Sequence, residues 1–144
     1  MRFEQRAAGI RIFAVDVDGV LTDATLLDVD GNICRRFHAH DGIGMILLAT
    51  AGIWTALVTG KKSKGLRRRA REVQCQCVYE GVGDKEAVVA ELCRKKHCSW
   101  THVAYMGDDL PDLPVMQRAG LAIAPANAVA EVRQAAHLVT LMPG

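Results

Sequence analysis

The chain has 144 residues, half of them hydrophobic, which is enough to build one compact domain with a buried core. Its formal net charge of +2 is too near neutral to indicate nucleic acid or a membrane surface as the main partner. The N-terminal residues are charged, and the nearly apolar stretch at 45–58 is too short to span a bilayer. We therefore expect a soluble, cytoplasmic protein with a single domain at 1–144.

Short apolar runs alternate with helical patterns along the chain. A buried strand is predicted at 10–15, followed by a hairpin with strands at 24–29 and 33–38 around Asp30-Gly31-Asn32. The later strands are predicted at 54–58, 77–79, 102–106, 121–124 and 138–140. The helices are predicted at 41–50, 63–72, 84–96, 113–118 and 128–136. This alternation is typical of an α/β fold, a three-layer Rossmann-like parallel sheet with helices on both faces.

Acidic motifs directly follow two of the predicted strands. Asp16-Val17-Asp18-Gly19 follows the strand at 10–15, and the pair Asp108-Asp109 follows the strand at 102–106. Ligands bind at the carboxyl ends of strands in open α/β sheets, so these carboxylates converge if the two strands are neighbours. Carboxylates that lie so near one another cannot all stay ionised unless a cation lies among them, and ligation by oxygen alone favours Mg²⁺.

Thr59-Gly60 and Lys85 add groups that suit a bound phosphoryl group. Thr59 follows the strand at 54–58 and offers a hydroxyl, whereas Lys85 lies near the start of the next helix and offers a positive charge. Taken singly, each motif has an ordinary explanation as a turn or a solvated first-turn side chain. Their shared place at predicted carboxyl ends of strands favours a phosphoryl-transfer site.

These motifs resemble those of the haloacid dehalogenase superfamily of phosphohydrolases. The four matching motifs are residues 16–22, Thr59, Lys85 and residues 107–112. Within the superfamily, the chain is similar to the small capless phosphatases of 3-deoxy-D-manno-octulosonate 8-phosphate (KDO 8-phosphate). The segments that carry this closer resemblance are 37–44, 59–63 and 103–116. The resemblance implies a capless fold, Mg²⁺ as cofactor, and a small phosphate ester as substrate, a phosphorylated sugar acid of lipopolysaccharide biosynthesis.

The resemblance also implies roles for three acidic residues. Asp16 is implied as the nucleophile that forms an aspartyl-phosphate. Asp18 is implied as the acid that protonates the leaving oxygen and then as the base that activates water. Mg²⁺ is implied at the carboxylates of Asp16 and Asp108 and at the main-chain carbonyl of Asp18.

Further residues are implied to hold and orient the phosphoryl group. Thr59, Gly60 and Lys85 would bind its oxygens. Asp109 and Asp112 would orient Lys85 or metal-bound water rather than bind the metal themselves.

The substrate-binding residues are predicted where the chain follows or departs from the family pattern. Lys61 stands where the family usually has arginine, so the positive charge is kept but the planar fork is lost. Asp41 and Arg69 are further candidates, and the family's glycine-rich tail is expected to follow Gly144.

The spacing between the motifs leaves no room for a cap domain. An open site admits water, so something else must cover it, and the hairpin at 24–38 is the candidate. Because the related phosphatases are tetramers, the resemblance implies a homotetramer with this hairpin at the interface. No nucleic acid and no membrane partner is expected.

Two other kinds of site were considered for the remaining polar residues. The basic run at 61–71 could bind nucleic acid, but it lacks aromatic partners and is expected to be a solvated helix. The five cysteines match no strong zinc pattern and are expected to be free thiols.

Three alternative functions stay open at the level of sequence. A phosphorylatable receiver domain also uses aspartate, threonine, lysine and Mg²⁺, but the order of the motifs here disfavours it. A phosphatase-like delta subunit of a phenylphosphate carboxylase-type complex and a nonulosonate 9-phosphate phosphatase are both compatible with the motifs.

Overall fold

A parallel sheet dominates the computed structural model, which describes residues 2–144. The strands are β1 (Ile12–Val15), β2 (Leu27–Val29), β3 (Asn32–Cys34), β4 (Trp54–Thr59), β5 (Cys77–Glu80), β6 (Val103–Met106), β7 (Leu121–Ala124) and β8 (Leu138–Val139). The helices are α1 (Phe3–Ala7), α2 (Ala39–Thr50), α3 (Lys64–Glu72), α4 (Lys85–Lys95), α5 (Leu113–Arg118) and α6 (Ala130–Ala135). Six strands form the sheet in the order β5-β4-β1-β6-β7-β8, which confirms the predicted α/β fold class.

Two hydrophobic cores lie on opposite faces of this sheet, because successive strand residues point to opposite sides. On one face, Ile12 and Ala14 of β1 belong to a core that includes residues of α4, α5 and α6. On the other face, Val15 packs in a core with Met45 of α2 and Leu66 of α3. The resulting three layers place β1, buried on both sides, in the middle of the sheet.

The hairpin after β1 forms a separate two-stranded sheet, with Val29 paired to Asn32. Its turn residues Asp30 and Gly31 have φ values of 51° and 76°, as a two-residue turn with two left-handed positions requires. The predicted strands at 24–29 and 33–38 were too long. Ala24 has a φ of 66°, which is incompatible with an extended strand.

Most predicted elements occur within one to three residues of their observed bounds. The exceptions are the strand predicted at 33–38, which ends four residues beyond β3, and α1, which the sequence did not predict because it has five residues and buries none of them. None of the helices described in residues 2–144 is long and apolar enough to cross a membrane. A cap domain is absent from the same residues, because only the hairpin and α2 lie between β1 and β4.

Candidate active site

Three neighbouring strands bring the predicted motifs to one edge of the sheet. β1 pairs in parallel with β4 on one side and with β6 on the other. Asp16 follows β1, Thr59 ends β4, and Asp108 lies two residues after β6. The main-chain N–H of Asp16 donates to the carbonyl of Met106 over 2.9 Å, which extends the β1–β6 pairing to the first acidic residue.

Lys85 lies between two buried carboxylates. Its Nζ donates to Oδ1 of Asp16 over 2.8 Å and to Oδ1 of Asp112 over 2.7 Å. Helix α4 begins at Lys85 because Asp84 caps it, accepting a hydrogen bond from the N–H of Ala87 over 2.9 Å. The cap therefore fixes where the lysine leaves the helix and enters the site.

Asp112 is fully buried, and both of its carboxylate oxygens are occupied. Oδ1 accepts from the hydroxyl of Tyr105 over 2.6 Å as well as from Lys85. Oδ2 accepts from the main-chain N–H groups of Asp108 and Asp109 at 3.1 and 3.2 Å. Asp112 thus fixes both the lysine and the loop after β6, and its oxygens are already engaged by protein donors.

Burial and mutual repulsion shift the titration of this acidic group. Burial, followed by the charges of Asp16 and Asp112, raises the pKa of Asp108 to about 7. Burial also raises the pKa of Asp16, against the opposing charge of Lys85. Burial opposes the charged form of Lys85, but the two carboxylates outweigh it, and the pKa of Lys85 is raised. Lys85 alone therefore does not balance the charge of the three carboxylates, Asp16, Asp108 and Asp112.

The cluster fits a hard divalent cation. Asp16, Asp108 and Asp112 each offer an oxygen within 4.8 Å of the others. Because Asp112 is engaged by protein donors, Asp16 and Asp108 supply the carboxylates available to a metal. Oδ1 of Asp108 is buried without a hydrogen-bond partner among residues 2–144, as expected of an oxygen that binds a cation.

Gly19 permits the first acidic loop to approach Asp108. Its φ of 91° lies in the left-handed region, and a Cβ built on it would overlap the Asp108 carboxylate. Any other residue would both strain the loop and displace this carboxylate. The glycine of the Asp-x-Asp-Gly motif therefore has a direct steric reason.

The carboxylate of Asp18 is bound by a residue that the sequence did not single out. Arg35, next after β3, donates from Nε to Oδ1 of Asp18 over 2.7 Å and from Nη2 to Oδ2 over 3.0 Å. Tyr105 and Asn127 were also missed, and the side-chain amide of Asn127 donates to the carbonyl of Gly19 over 3.0 Å. These contacts join distant segments, and we find no local sequence pattern that marks them.

The phosphate-binding candidates lie at the end of β4. Thr59 is buried, and its Oγ1 accepts from the main-chain N–H of Lys61 over 3.2 Å. The next residue, Gly60, is exposed. Asp109 does not bond to Lys85; its Oδ1 accepts from the N–H of Leu110 over 2.7 Å.

The predicted substrate-binding residues lie around the rim. Arg69 donates to the carbonyl of His38 over 3.1 Å, so it holds the segment that enters α2. Asp41 is exposed and lines a cavity of about 630 Å³ together with Arg36 and the segment 142–144. The side chain of Lys61 is exposed beside Gly60.

The five cysteines are free, which agrees with the sequence expectation. Within the described residues, 2–144, Asp16, Asp108 and Asp112 form the one group of three or more histidine, cysteine, aspartate or glutamate side chains placed to hold a metal ion. The cysteines and His97 do not form such a group.

The raised pKa of Asp108 predicts a definite pH dependence. Its pKa of about 7 in the folded chain exceeds the ordinary value of 3.8, so the folded state binds the extra proton between these values. This contribution to the free energy of unfolding is present below about pH 4 and is lost as the pH rises through about 7. We expect Mg²⁺ to raise the melting temperature more at pH 8 than at pH 6, because the ion needs the ionised carboxylate.

Thermal melts of wild type and Asp108→Asn, each with Mg²⁺ and with chelator, check this expectation. In the variant, the pH-dependent part of the Mg²⁺ effect should shrink. A Mg²⁺ effect of equal size at both pH values in the wild type would contradict the assignment of Asp108.

Comparison with known proteins places this geometry among characterised relatives. A family described as haloacid dehalogenase-like hydrolase matches residues 69–143. The 3-deoxy-D-manno-octulosonate 8-phosphate phosphatase of Yersinia pestis is 39% identical over 141 residues, covering 97% of this chain and 75% of the relative.

Solved structures give the same result. A probable YrbI family phosphatase from Pseudomonas syringae superposes with a TM-score of 0.95 and 40% identity, covering 97% of this chain and 80% of the other. The 3-deoxy-D-manno-octulosonate 8-phosphate phosphatase of Moraxella catarrhalis, solved with magnesium, phosphate and KDO, superposes with a TM-score of 0.94 and 35% identity. That match covers 97% of this chain and 81% of the other.

Proposed function

Because the chain belongs to the haloacid dehalogenase-like hydrolase family, we propose that it is a Mg²⁺-dependent phosphomonoester hydrolase that acts on KDO 8-phosphate. The observation that carries this proposal is the buried cluster at the carboxyl ends of β1 and β6. There Lys85 bonds to Asp16, while Asp108 keeps a buried oxygen without a protein donor.

Asp16 is the proposed nucleophile. A carboxylate oxygen attacks phosphorus, forms an aspartyl-phosphate, and displaces the ester oxygen of the substrate. Lys85 holds Asp16 in place through its 2.8 Å bond and presents positive charge where charge gathers on the phosphoryl group. Thr59, at the end of the adjacent strand, is the proposed hydroxyl donor to a phosphoryl oxygen.

Asp18 is the proposed acid and base. It gives a proton to the leaving oxygen in the first step and takes one from the water that attacks the aspartyl-phosphate in the second. Its position two residues beyond the nucleophile places both groups on one loop, which Thr22 braces by accepting from the N–H of Gly19 over 3.3 Å.

The metal site is proposed from the donor set. Asp16, Asp108 and the main-chain carbonyl of Asp18 would hold Mg²⁺, as the magnesium in the Moraxella catarrhalis relative supports. The ion, when bound, offsets the repulsion between these carboxylates and the phosphate dianion.

The substrate proposal rests on the relatives and on the open rim of the site. Two relatives of this chain are phosphatases of KDO 8-phosphate by description, and one was solved with KDO bound. The cavity of about 630 Å³ that Asp41 lines offers room for a sugar next to the first acidic loop. Lys61 and Arg69 are the proposed cations near a substrate carboxylate.

A substrate panel tests the proposal. Release of inorganic phosphate is measured with Mg²⁺ from KDO 8-phosphate, a nonulosonate 9-phosphate and phenyl phosphate. We expect kcat/KM for KDO 8-phosphate to exceed that for each other ester by about 10-fold or more. Preference for the nonulosonate ester would overturn the assignment of KDO 8-phosphate as substrate. Absence of phosphate release from every ester would overturn the proposal that the chain is a hydrolase.

We also propose that the chain assembles as a homotetramer with the hairpin at 24–38 in the interface. Leu27 and Val29 lie on one face of β2 and are 60% and 47% exposed, so an interface there would bury two apolar side chains. Light scattering of the purified protein tests the assembly, and a monomeric mass would contradict it.

A further inference from the structure

Arg35 is the most deeply buried cation at the rim of the site that the proposed chemistry leaves without a role. It follows β3, and its side chain crosses from the hairpin to the loop after β1. That side chain is 1% exposed, although both strands of the hairpin are mostly exposed. A long charged side chain loses much rotamer freedom on burial, so its position must be stabilised by specific contacts.

Two of the three guanidinium nitrogens of Arg35 are hydrogen-bonded to Asp18. Nε and Nη2 bond to the two carboxylate oxygens of Asp18 at 2.7 and 3.0 Å. Such a two-point contact fixes the plane of the carboxylate as well as its distance. Arg35 therefore orients the side chain that is the proposed acid and base.

The third nitrogen, Nη1, is buried and makes no hydrogen bond to any described residue. Leaving a buried donor of a charged group unpaired is costly, so such an atom in a site indicates a missing acceptor. Hydrogen bonding to Asp18 raises the pKa of Arg35, with further support from the charges of Asp16 and Glu80. The guanidinium is thus a permanent cation within electrostatic range of the proposed nucleophile.

The hairpin that carries Arg35 is itself tied to the site. The hydroxyl of Ser63, just after the β4 loop, donates to the carbonyl of Ile33 over 3.3 Å. The neighbouring Arg36 differs completely, since its side chain is 88% exposed and pairs with Asp23 on the surface. Of these two consecutive arginines, Arg35 is therefore the one that bonds to Asp18.

We propose that Arg35 is a substrate-binding and positioning residue, whose Nη1 donates to an oxygen of the phosphoryl group while Nε and Nη2 hold Asp18. The hairpin then contributes a functional group as well as a cover. This inference rests on the proposed function for the identity of the anion, a phosphate ester, and it extends that function to a residue outside the four motifs.

Phosphate binding tests the proposed contact between Arg35 and the phosphoryl group without any turnover. Isothermal titration calorimetry with inorganic phosphate and Mg²⁺ is run on wild type, Arg35→Gln and the surface control Arg94→Gln, which changes an exposed arginine in the last turn of α4. We expect phosphate to bind Arg35→Gln about 10- to 100-fold more weakly, the usual effect of losing a hydrogen bond to a charged group. Arg94→Gln should stay within about threefold of wild type.

A second titration, with unphosphorylated KDO, separates the two anionic parts of the substrate. If Arg35→Gln weakens KDO binding but leaves phosphate binding unchanged, the assignment to the phosphoryl group is overturned. Equal phosphate affinity in wild type and Arg35→Gln, or an equal loss in Arg94→Gln, overturns it as well. If wild type binds phosphate in this pattern but hydrolyses no ester, the proposed function fails while the role of Arg35 in anion binding stands.

Kinetics of Arg35→Lys test the positioning of Asp18. Lysine keeps the charge but cannot hold both carboxylate oxygens of Asp18 and a phosphoryl oxygen at once. We expect its phosphate affinity within about threefold of wild type, with kcat at least about tenfold lower and KM little changed. Full recovery of kcat by lysine would show that the fork on Asp18 is not needed. Melting curves confirm that each variant is folded.

Discussion

Phosphate release by Asp16→Asn is expected to fall by about 10⁴-fold or more relative to wild type. The amide has nearly the shape of the carboxylate but is not a nucleophile at physiological pH, so the covalent step is lost. The variant also loses one of the two carboxylates proposed for Mg²⁺ and the charged partner of Lys85 at 2.8 Å. The measurement is the initial rate of phosphate release from KDO 8-phosphate with saturating Mg²⁺.

A matched exchange on the surface controls for the chemistry of the substitution. Asp28→Asn changes an exposed hairpin carboxylate that accepts from the N–H of Gly31 over 2.8 Å, and asparagine can keep that bond. Its rate should stay within about twofold of wild type. A rate for Asp16→Asn within tenfold of wild type, in folded protein, would exclude Asp16 as the nucleophile.

Lys85→Met is expected to lower both activity and stability. Methionine fills similar volume, but it leaves the buried carboxylates of Asp16 and Asp112 without the ammonium that bonds to both. Removing one partner of a buried ion pair costs about 3–5 kcal/mol in the free energy of unfolding. The loss of charge facing the phosphoryl group should lower kcat by about 100-fold or more.

Urea unfolding with chelator present measures the stability, and Lys95→Met provides the control. Lys95 pairs with Glu91 over 2.7 Å on the surface, where both side chains are about half exposed. Its loss should cost less than about 1 kcal/mol. Equal unfolding free energies for the two methionine variants would contradict a structural role for Lys85 in the cluster.

The place of each motif at the end of a strand could be predicted from sequence because its causes are local. β1 and β6 are short, apolar runs, and each is followed by acidic residues and a glycine. The sequence predicted that Asp16 and Asp108 converge if the two strands are neighbours, and the structure supplies that condition by pairing β1 with β6 in parallel. The same logic correctly placed Thr59 at the end of β4.

The hydrogen bonds that organise the site could not be predicted in this way. Asp112 lies in a 3₁₀ turn after β6, and only that geometry directs its two oxygens to Lys85, Tyr105 and two main-chain N–H groups. The sequence predicted that Asp109 would share this work, but its carboxylate caps the turn by accepting from the N–H of Leu110. Turn geometry of this kind depends on the surrounding packing.

Arg35 shows a second limit of sequence reasoning. It lies 17 positions from Asp18, and the contact depends on a tight turn at Asp30 and Gly31 that folds the hairpin back. In the sequence it stands beside Arg36 without any distinguishing pattern. Which of two adjacent arginines is buried follows from the orientation of the hairpin, and this is a tertiary property.

The proposed hydrolysis of KDO 8-phosphate with the help of Mg²⁺ can be measured directly. The most direct measurement is the initial rate of phosphate release from that ester by wild type, first with Mg²⁺, then with excess chelator, then with Mg²⁺ restored. We expect rapid release with Mg²⁺, a fall to background in chelator, and recovery when Mg²⁺ is restored. Release that continues unchanged in chelator, or no release under any of the three conditions, would contradict it.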